Sequence, residues 1–358
     1  MVMEVGKGNG LTHRRGISGG ERGSGRKRPR ETESGDFFDG LPDELVISIL
    51  CKLSASAERP SDLIAVLSVC KRLNRLGLDP VVLSKASADL LAVRAIRWSV
   101  SCNRFLQRCA DAGSLEACYI LGMILFYCLR NREVGLALMA MAALQKHAAA
   151  LFSLAVIHFN GSGKLKSDRN LKAGVLLCTR AASLCYVDAM RLLGYCFLDG
   201  HGVRRDVSEG NNYLLQANAR EFSAFLHSSP SSPCRHTRRR RSLSEGLDLW
   251  RATPPPEPHP ANRFLVEWFA TRSRDEDGEG FGTCSNGGCG RPETRRHEFS
   301  MCSACGLARY CSRACQATHW KYTHKAECIP INRWLDAGIM ANEAPWEGGG
   351  GGAELVLD

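Results

Sequence analysis

Apolar residues return at helical spacing through much of the middle of this chain. In "LPDELVISILCKL" (41–53), Leu45, Ile49 and Leu53 recur every four residues, the repeat that lines one face of a helix. Pro42 suits the first turn, and Asp43 and Glu44 oppose the partial positive charge of a helix N-terminus. "SDLIAVLSVCKRLNRLGLD" (61–79) puts Leu63, Val66, Leu67, Cys70 and Leu73 on one stripe and predicts a second helix, with Ser61 or Asp62 as its N-cap. The polar "SASAERPSD" (54–62) between them is longer than a tight turn needs, so the end of the first helix stays open. "ACYILGMILFYCL" (117–129) is apolar throughout but shorter than the roughly 20 residues that cross a bilayer, and it reads as a buried helix. "RFLVEWFATR" (263–272) predicts a short amphipathic helix, and "PINRWLDAG" one more before the glycine run at 348–352.

Self-similarity organises residues 100–225. "AGSLEACYILG" (112–122), "HAAALFSLA" (147–155) and "LCYVDAMRLLG" (184–194) align on Ala117, Ala150 and Ala189, on Leu121, Leu154 and Leu193, and on Gly122, Ala155 and Gly194. The last two units continue alike, "FNGSGKLKSD" (159–168) matching "LDGHGVRRD" (198–206), while the first lacks the Gly-x-Gly loop. Small residues at fixed helical positions let two helices approach closely, and Gly-x-Gly lets the chain reverse, so each unit is expected to be a helical hairpin. These units resemble Sel-like repeats, relatives of tetratricopeptide repeats. The resemblance implies an α-solenoid with a concave binding face.

The remaining segments are of a different kind. Residues 1–36 have no apolar period and are expected to be disordered, as is the tail, 340–358. Residues 226–262, rich in Ser, Pro and Arg, read as a linker in which "PPPEPHP" favours extended polyproline geometry. Lys and Arg total 47 against 37 Asp and Glu, a net charge of +10, and much of the excess sits in "GRKRPR" (25–30) and "CRHTRRRRS" (234–242). Basic clusters in flexible segments suit nuclear import or loose phosphate contact, not base-specific reading, so no specific nucleic-acid partner is expected. Without an apolar leader the 17 cysteines are read in a reducing compartment, nucleus or cytoplasm, which argues against disulfides. No membrane association is expected.

Residues 37–82 carry a family resemblance. "LPDELVISIL" followed by "LIAVLSVCKRLNRL" resembles an F-box, a three-helix module that docks onto the Skp adaptor of cullin-based ubiquitin ligases. Carried across position by position, the resemblance implies that Leu41, Pro42, Leu45, Ile49, Leu50, Val69, Cys70 and Leu73 form the adaptor-facing or supporting apolar surface. Exposed apolar patches of that kind need a partner.

The densest chemistry lies in residues 281–328, where Cys284, Cys289, Cys302, Cys305, Cys311, Cys315, His324 and Cys328 stand in closely spaced pairs. Pairs two to four residues apart let one turn grip a metal, and eight such ligands make two closed tetrahedral zinc sites, which are structural because no position is left for a reacting water. A segment this short has little core, and structural zinc contributes roughly 10–16 kcal/mol to folding at neutral pH. Spacing does not distinguish interleaved from sequential pairing of the ligands. His319 competes with His324, but His324 keeps the spacing to Cys328. The order C-x4-C, C-x2-C, C-x3-C, H-x3-C closely resembles a MYND-type zinc finger. That resemblance implies interleaving, with Cys284, Cys289, Cys311 and Cys315 on one Zn2+ and Cys302, Cys305, His324 and Cys328 on the other. It also implies a protein-interaction module for proline-containing peptides, with Tyr310, Gln316 and Trp320 placed to line a groove, although Trp320 serves equally as a packing residue. The linker's own "PPPEPHP" is a candidate occupant.

The fold expected is therefore mainly α: a three-helix F-box, an α-solenoid of Sel-like repeats and a small two-zinc MYND finger, with disordered termini and linker. F-box, repeats and finger together look like a plant family of F-box proteins with a C-terminal MYND finger. The resemblance implies a non-catalytic substrate-recognition subunit of a Skp–cullin–F-box ubiquitin ligase, whose partners are a Skp-type adaptor, through it cullin, and an unidentified target protein. The alternative is a scaffolding or transcriptional adaptor without a ubiquitin role. A methyltransferase is disfavoured, because no segment resembles a SET catalytic domain, and no Ser-His-Asp, phosphate-loop or dinucleotide pattern is found either.

Overall fold

The computed structural model describes residues 38, 40–228, 254–271 and 282–331. The basic clusters, both tails and most of the linker lie outside the described residues. The chain divides into two compact units, Met1–Leu41 and Pro42–Asp358, and every helix and strand of the described residues belongs to the second.

Helix α1 (Asp43–Ser56) runs on into the polar insertion and ends only where Ala57 turns extended. The second predicted helix is two helices, α2 (Pro60–Leu67) and α3 (Lys71–Gly77). Pro60 takes the first helical position of α2, one residue before the expected cap, while Asp62 accepts the backbone N–H of Arg59 at 3.0 Å. At the break, Cys70 is extended and its Sγ accepts from the N–H of Leu73 at 3.4 Å, so the residue read as part of a helical stripe is the N-cap of α3. The short α4 (Pro80–Leu83) follows, and Val46, Leu50, Leu63, Leu76, Val82 and Leu83 form the buried side of the module. Asp43 ties α1 to α3 through ion pairs with Arg72 (2.7 Å) and Arg75 (2.8 Å), and those hydrogen bonds hold its carboxyl below the ordinary range.

Helix α5 (Val100–Asp111) leads from α4 into three hairpins: α6 (Leu115–Tyr127) with α7 (Arg132–Leu144), α8 (Ala148–Asn160) with α9 (Leu171–Ser183), and α10 (Val187–Asp199) with α11 (Val207–Ser228). Ala117, Ala150 and Ala189, aligned in the sequence, are each fully buried near the start of the first helix of a hairpin. Ser114 Oγ caps Ala117 N–H at 3.2 Å and His147 Nδ1 caps Ala150 N–H at 3.1 Å. Helix α6 is buried on every side, as its uniformly apolar run requires. Within the first hairpin, Gly122 and Gly135 let α6 and α7 touch backbone to backbone: a Cβ on Gly135 would lie 2.7 Å from both Gly122 O and Phe126 N. The Gly-x-Gly loops have the left-handed conformation that glycine adopts freely, with φ +64° and +78° at Gly161 and Gly163, and +70° and +75° at Gly200 and Gly202.

After the linker the chain returns to the solenoid. Helix α12 (Pro260–Thr271) starts three residues earlier than its apolar pattern suggested, inside the segment read as linker, because His259 Nδ1 accepts the N–H of Ala261 at 3.2 Å. It buries Phe264, Leu265 and Trp268, packs on α6, and sets Phe264 edge-on to Trp98 at 5.3 Å. Glu267 accepts from Arg94 at 2.5 Å and from the N–H of Ala95 at 2.6 Å, which pins α12 to the connection between F-box module and repeats. No helix among the described residues is long and apolar enough to cross a membrane.

The Gly122–Gly135 crossing can be tested directly. Gly135→Ala should destabilise the chain by roughly 1–3 kcal/mol through overpacking, although alanine is the better helix former. Gly287→Ala, where a Cβ meets nothing within 4 Å, should stay within about 0.5 kcal/mol. Urea unfolding followed by circular dichroism compares the two.

Candidate metal centres and binding surfaces

The finger holds its shape with very little regular structure. β1 (Ser300–Met301) pairs antiparallel with β2 (Arg309–Tyr310), Ser300 opposite Tyr310, and an isolated bridge joins Thr283 to Pro292. Helix α13 (Arg313–His319), capped by Ser312 Oγ on Cys315 N–H at 3.2 Å, passes into a π-helical turn at Trp320–His324 and a last turn, α14 (Lys325–Glu327). The four residues inside the first knuckle fold as a turn in which Cys289 N–H reaches Asn286 O at 2.8 Å and Gly288 N–H reaches Asn286 Oδ1 at 3.3 Å.

Two ligand sets emerge, Cys284, Cys289, Cys311 and Cys315 in one, and Cys302, Cys305, His324 and Cys328 in the other. The pairing is interleaved. β2 causes it: Ser285 N–H bonds Arg309 O at 2.7 Å, which carries Cys311 back beside the first knuckle, while Cys302 N–H bonds Ala308 O at 2.8 Å and keeps the second knuckle apart. Zinc–sulfur bonds of about 2.3 Å in a tetrahedron require sulfurs about 3.8 Å apart. Cys289 and Cys311 Sγ are 3.6 Å apart, Cys311 and Cys315 3.5 Å, Cys302 and Cys328 4.0 Å, and Cys305 Sγ lies 3.5 Å from His324 Nε2. All ligands except the half-buried Cys328 are buried. Four sulfurs in one set, and three sulfurs with one imidazole nitrogen in the other, fit two structural zinc ions at these separations, and the role of each ion is to hold its knuckles together.

His319 is not in either set. It stacks on His324 with ring centroids 5.2 Å apart, and its Nδ1 meets Tyr310 Oη at 3.0 Å. Tyr310, read from the sequence as groove-lining, is 1 % exposed and belongs to this buried stack, where burial pushes its hydroxyl pKa up. Gln316 and the 41 %-exposed Trp320 do line a pocket of about 270 Å³, with Ser303, Ala304, Arg313 and Ala317. Its far wall is Tyr195 of α10, over whose ring Arg313 sits at 5.2 Å. The linker's Pro258 does not enter it: Pro258 lies against Gly288 in the first knuckle, and neither it nor His259 lines the pocket. The segment "PPPEPHP" therefore meets the finger at the first knuckle and not at this pocket, with His259 holding it to the repeats.

The finger grips the repeats through residues that spacing arguments passed over. Arg295 donates to Gly161 O at 2.8 Å and also to Asn160 O, Gly163 N–H reaches Thr294 Oγ1 at 2.7 Å, and Ser162 bonds Glu298. The Gly-x-Gly loop of the second hairpin is thus the finger's seat. Asn160 Nδ2 reaches Cys311 O at 2.8 Å, and Arg291, 2 % exposed, reaches Ser153 Oγ at 2.7 Å. Farther along, buried Arg191 meets Thr318 Oγ1 at 3.2 Å and Glu221 at 2.9 Å, and Lys321 meets Glu221 at 3.0 Å. The only hint of this in the sequence is a concentration of Arg and Glu in the spacer between knuckles.

Among the residues assigned to an adaptor-facing surface, Leu45 is 52 % exposed, Ile49 45 % and Val69 66 %; Pro42 and Cys70 are exposed too. Leu73 is half-buried, and Leu50, 2 % exposed, is core and only supports the others. Leu41 closes the other unit. Ile64 of α2, exposed by 59 %, is a further apolar side chain of the module left in solvent, although the family pattern did not point to it.

A third cluster joins repeats to linker. Glu116 accepts at one oxygen from His147 Nε2 (3.1 Å) and at the other from His259 Nε2 (3.1 Å), and the Tyr119 ring lies 4.9 Å from both imidazoles. Each histidine uses Nδ1 to accept a backbone N–H, so its proton sits on Nε2 and points at the carboxylate. A histidine that ligates a metal through Nε2 donates from the other nitrogen, so this is a hydrogen-bonded clasp and not a third metal centre. Burial raises the Glu116 pKa, but the two imidazole bonds outweigh it and bring the carboxyl to about 2. The buried thiols of the repeats are packing groups: burial pushes Cys109 and Cys196 up to about 12, far from nucleophilic range.

The parts define a helical-repeat protein carrying a two-zinc finger and an F-box-like module. Family comparison agrees part by part: F-box-like over 38–85, plant tetratrico peptide repeats over 91–197, Sel1 repeat over 187–220 and MYND finger over 284–328. Two Arabidopsis thaliana proteins are similar along most of their length. "F-box protein At1g67340" is 51% identical over 342 residues, 92% of this chain and 90% of that one. "F-box protein At5g50450" is 54% identical over 302 residues, 84% and 88% of the two chains. The chain belongs to this family of plant F-box proteins with Sel-like repeats and a C-terminal MYND finger. Among solved structures, a Sel1 repeat protein from Oxalobacter formigenes aligns with 32% of this chain and 86% of its own at 22% identity, with a TM-score of 0.29.

Metal analysis of the purified chain should give two zinc ions. Cys289→Ser with Cys311→Ser should lose one, and Cys289→Ser with Cys302→Ser both, whereas sequential pairing would reverse the pattern. For the clasp, the Glu116 pKa is depressed from 4.5, so its stabilisation is complete above about pH 4.5 and disappears as pH falls through about 2. The stability difference between wild type and Glu116→Gln, measured by urea unfolding, should shrink as pH falls from about 4.5 to about 2.

Proposed function

We propose that this chain is the substrate-recognition subunit of a Skp–cullin–F-box ubiquitin ligase. The F-box-like module docks a Skp-type adaptor and through it a cullin, and the repeats with the MYND finger hold a target protein. The observation that carries the reading is the set of apolar side chains left in solvent by that module, Leu45, Ile49, Ile64 and Val69, in a chain whose relatives are F-box proteins. The pocket between Tyr195 and Trp320 favours an extended target segment contacted by repeat and finger at once. The chain's own groups take no part in bond chemistry; it acts by proximity, holding the target beside an enzyme that the cullin brings. The basic clusters at 25–30 and 234–242 suit nuclear import, and the cysteine-rich composition suits a reducing compartment, which together favour residence in the nucleus, the cytoplasm or both.

Co-expression of the full chain with a Skp-type adaptor tests the reading. Wild type should co-purify with it. Leu45→Ala with Ile49→Ala should weaken the complex by about 5- to 150-fold, since two exposed apolar side chains lose roughly 1–3 kcal/mol of burial, while zinc content and helicity stay unchanged. Wild-type chain that does not bind the adaptor would overturn the ligase reading and leave a scaffolding adaptor without a ubiquitin role.

A further inference from the structure

Arg291 is the most enclosed cation of the finger, 2 % exposed, and its surroundings are unusual for an arginine. Nη1 points at Cys289 Sγ at 3.4 Å, Nη2 donates to Ser153 Oγ of α8 at 2.7 Å, the group lies over the Phe152 ring at 5.8 Å, and Nε has no partner. Among the described residues no carboxylate pairs with it; its contact anion is a zinc-ligand sulfur. Buried guanidinium groups ordinarily require an opposite charge, because removing one from water without compensation is costly. Four thiolates around one Zn2+ leave the Cys284, Cys289, Cys311, Cys315 centre with two net negative charges, and Arg291 sits in its outer sphere. The other centre, with three thiolates and a neutral imidazole, has no such cation at its sulfurs among the bonds of the described residues.

We propose that Arg291 is the counter-charge of the four-cysteine centre alone, and that by spanning from Cys289 to Ser153 it links metal loading of that centre to docking of the finger on the second hairpin. Linkage is reciprocal: a charge that holds the metal in the docked finger makes the metal hold the finger docked. The pocket walled by Tyr195 on one side and Trp320 on the other exists only when finger and repeats are docked, so loss of the four-cysteine centre opens it from the repeat side, while its finger wall of Cys302, Ser303 and Ala304 belongs to the other centre. This coupling rests on the metal centres and is independent of the ligase reading.

Transfer of zinc from the full-length protein to a colorimetric chelator gives the test, with cadmium-substituted protein used to tell the four-cysteine centre from the histidine-containing centre by NMR of the metal. Arg291→Met should release metal from the four-cysteine centre about 10-fold faster, the low end of what outer-sphere partners contribute, and leave the histidine-containing centre unchanged. Arg291→Lys, which keeps the charge, should recover part of the loss. Hydrogen exchange supplies the docking readout: amides of Leu151–Ile157 should exchange faster when wild type is stripped of metal, and respond less in Arg291→Met. If Arg291→Met does not fold, Ser153→Ala, which keeps the charge and removes its anchor on α8, should weaken the same metal dependence of exchange. Equal release from both centres, unchanged release from the four-cysteine centre, or exchange in α8 indifferent to metal would overturn the proposal.

Discussion

Tetrahedral closure of the zinc centres governs the geometry of the finger. Each centre takes ligands from segments that are not adjacent in the chain, so neither knuckle of the first centre is complete until β2 has returned Cys311 beside Cys289. The cross-braced result is stiff but thin. It has almost no apolar interior of its own and is held instead against the repeats, where its Arg295, Thr294 and Glu298 side chains satisfy the polar groups of the Gly161–Gly163 loop. A finger that depends on metal for its form thus depends on a helical hairpin for its position.

The hairpin can serve as a seat because of how the repeats pack. Alanine and glycine at the helix crossings bring backbones together, and the left-handed glycines of the second loop turn carbonyls and N–H groups outward, where the finger's side chains reach them. Against α6, α12 and the Glu116 clasp close the path from linker to solenoid, and Glu267 reaches the F-box module's connection. Within the unit Pro42–Asp358, F-box module, repeats and finger are joined by packed helices and buried hydrogen bonds. Under the proposed function, such continuity sets the spacing between the exposed apolar side chains of the F-box-like module and the pocket at Tyr195 and Trp320.

Much of this is legible in the chain of residues alone. The aligned alanines, leucines and glycines predict three hairpins because close helix packing restricts the residues at a crossing. The eight ligands are legible because metal chemistry demands Cys and His at short spacing, whatever lies around them. The F-box-like module can be recognised from its leucines, yet its apolar stripe predicts one second helix where the structure has two. Cys70 continues the stripe, and only the packing of α3 back on α1 shows why the chain must stop and be capped there. Periodicity identifies a face and does not say whether a helix is broken along it.

What the sequence determined by itself was everything local: helix faces, turn glycines, ligand identities and the basic, unpatterned segments. What tertiary structure alone decided was which distant groups meet. Interleaved pairing, Tyr310 as a buried support, Tyr195 as a wall of the pocket, the Glu116 clasp and the placement of Arg291 between a thiolate and α8 all join residues from separate elements. Such contacts leave no period or spacing in a sequence, because each depends on a partner whose position the rest of the fold must first establish.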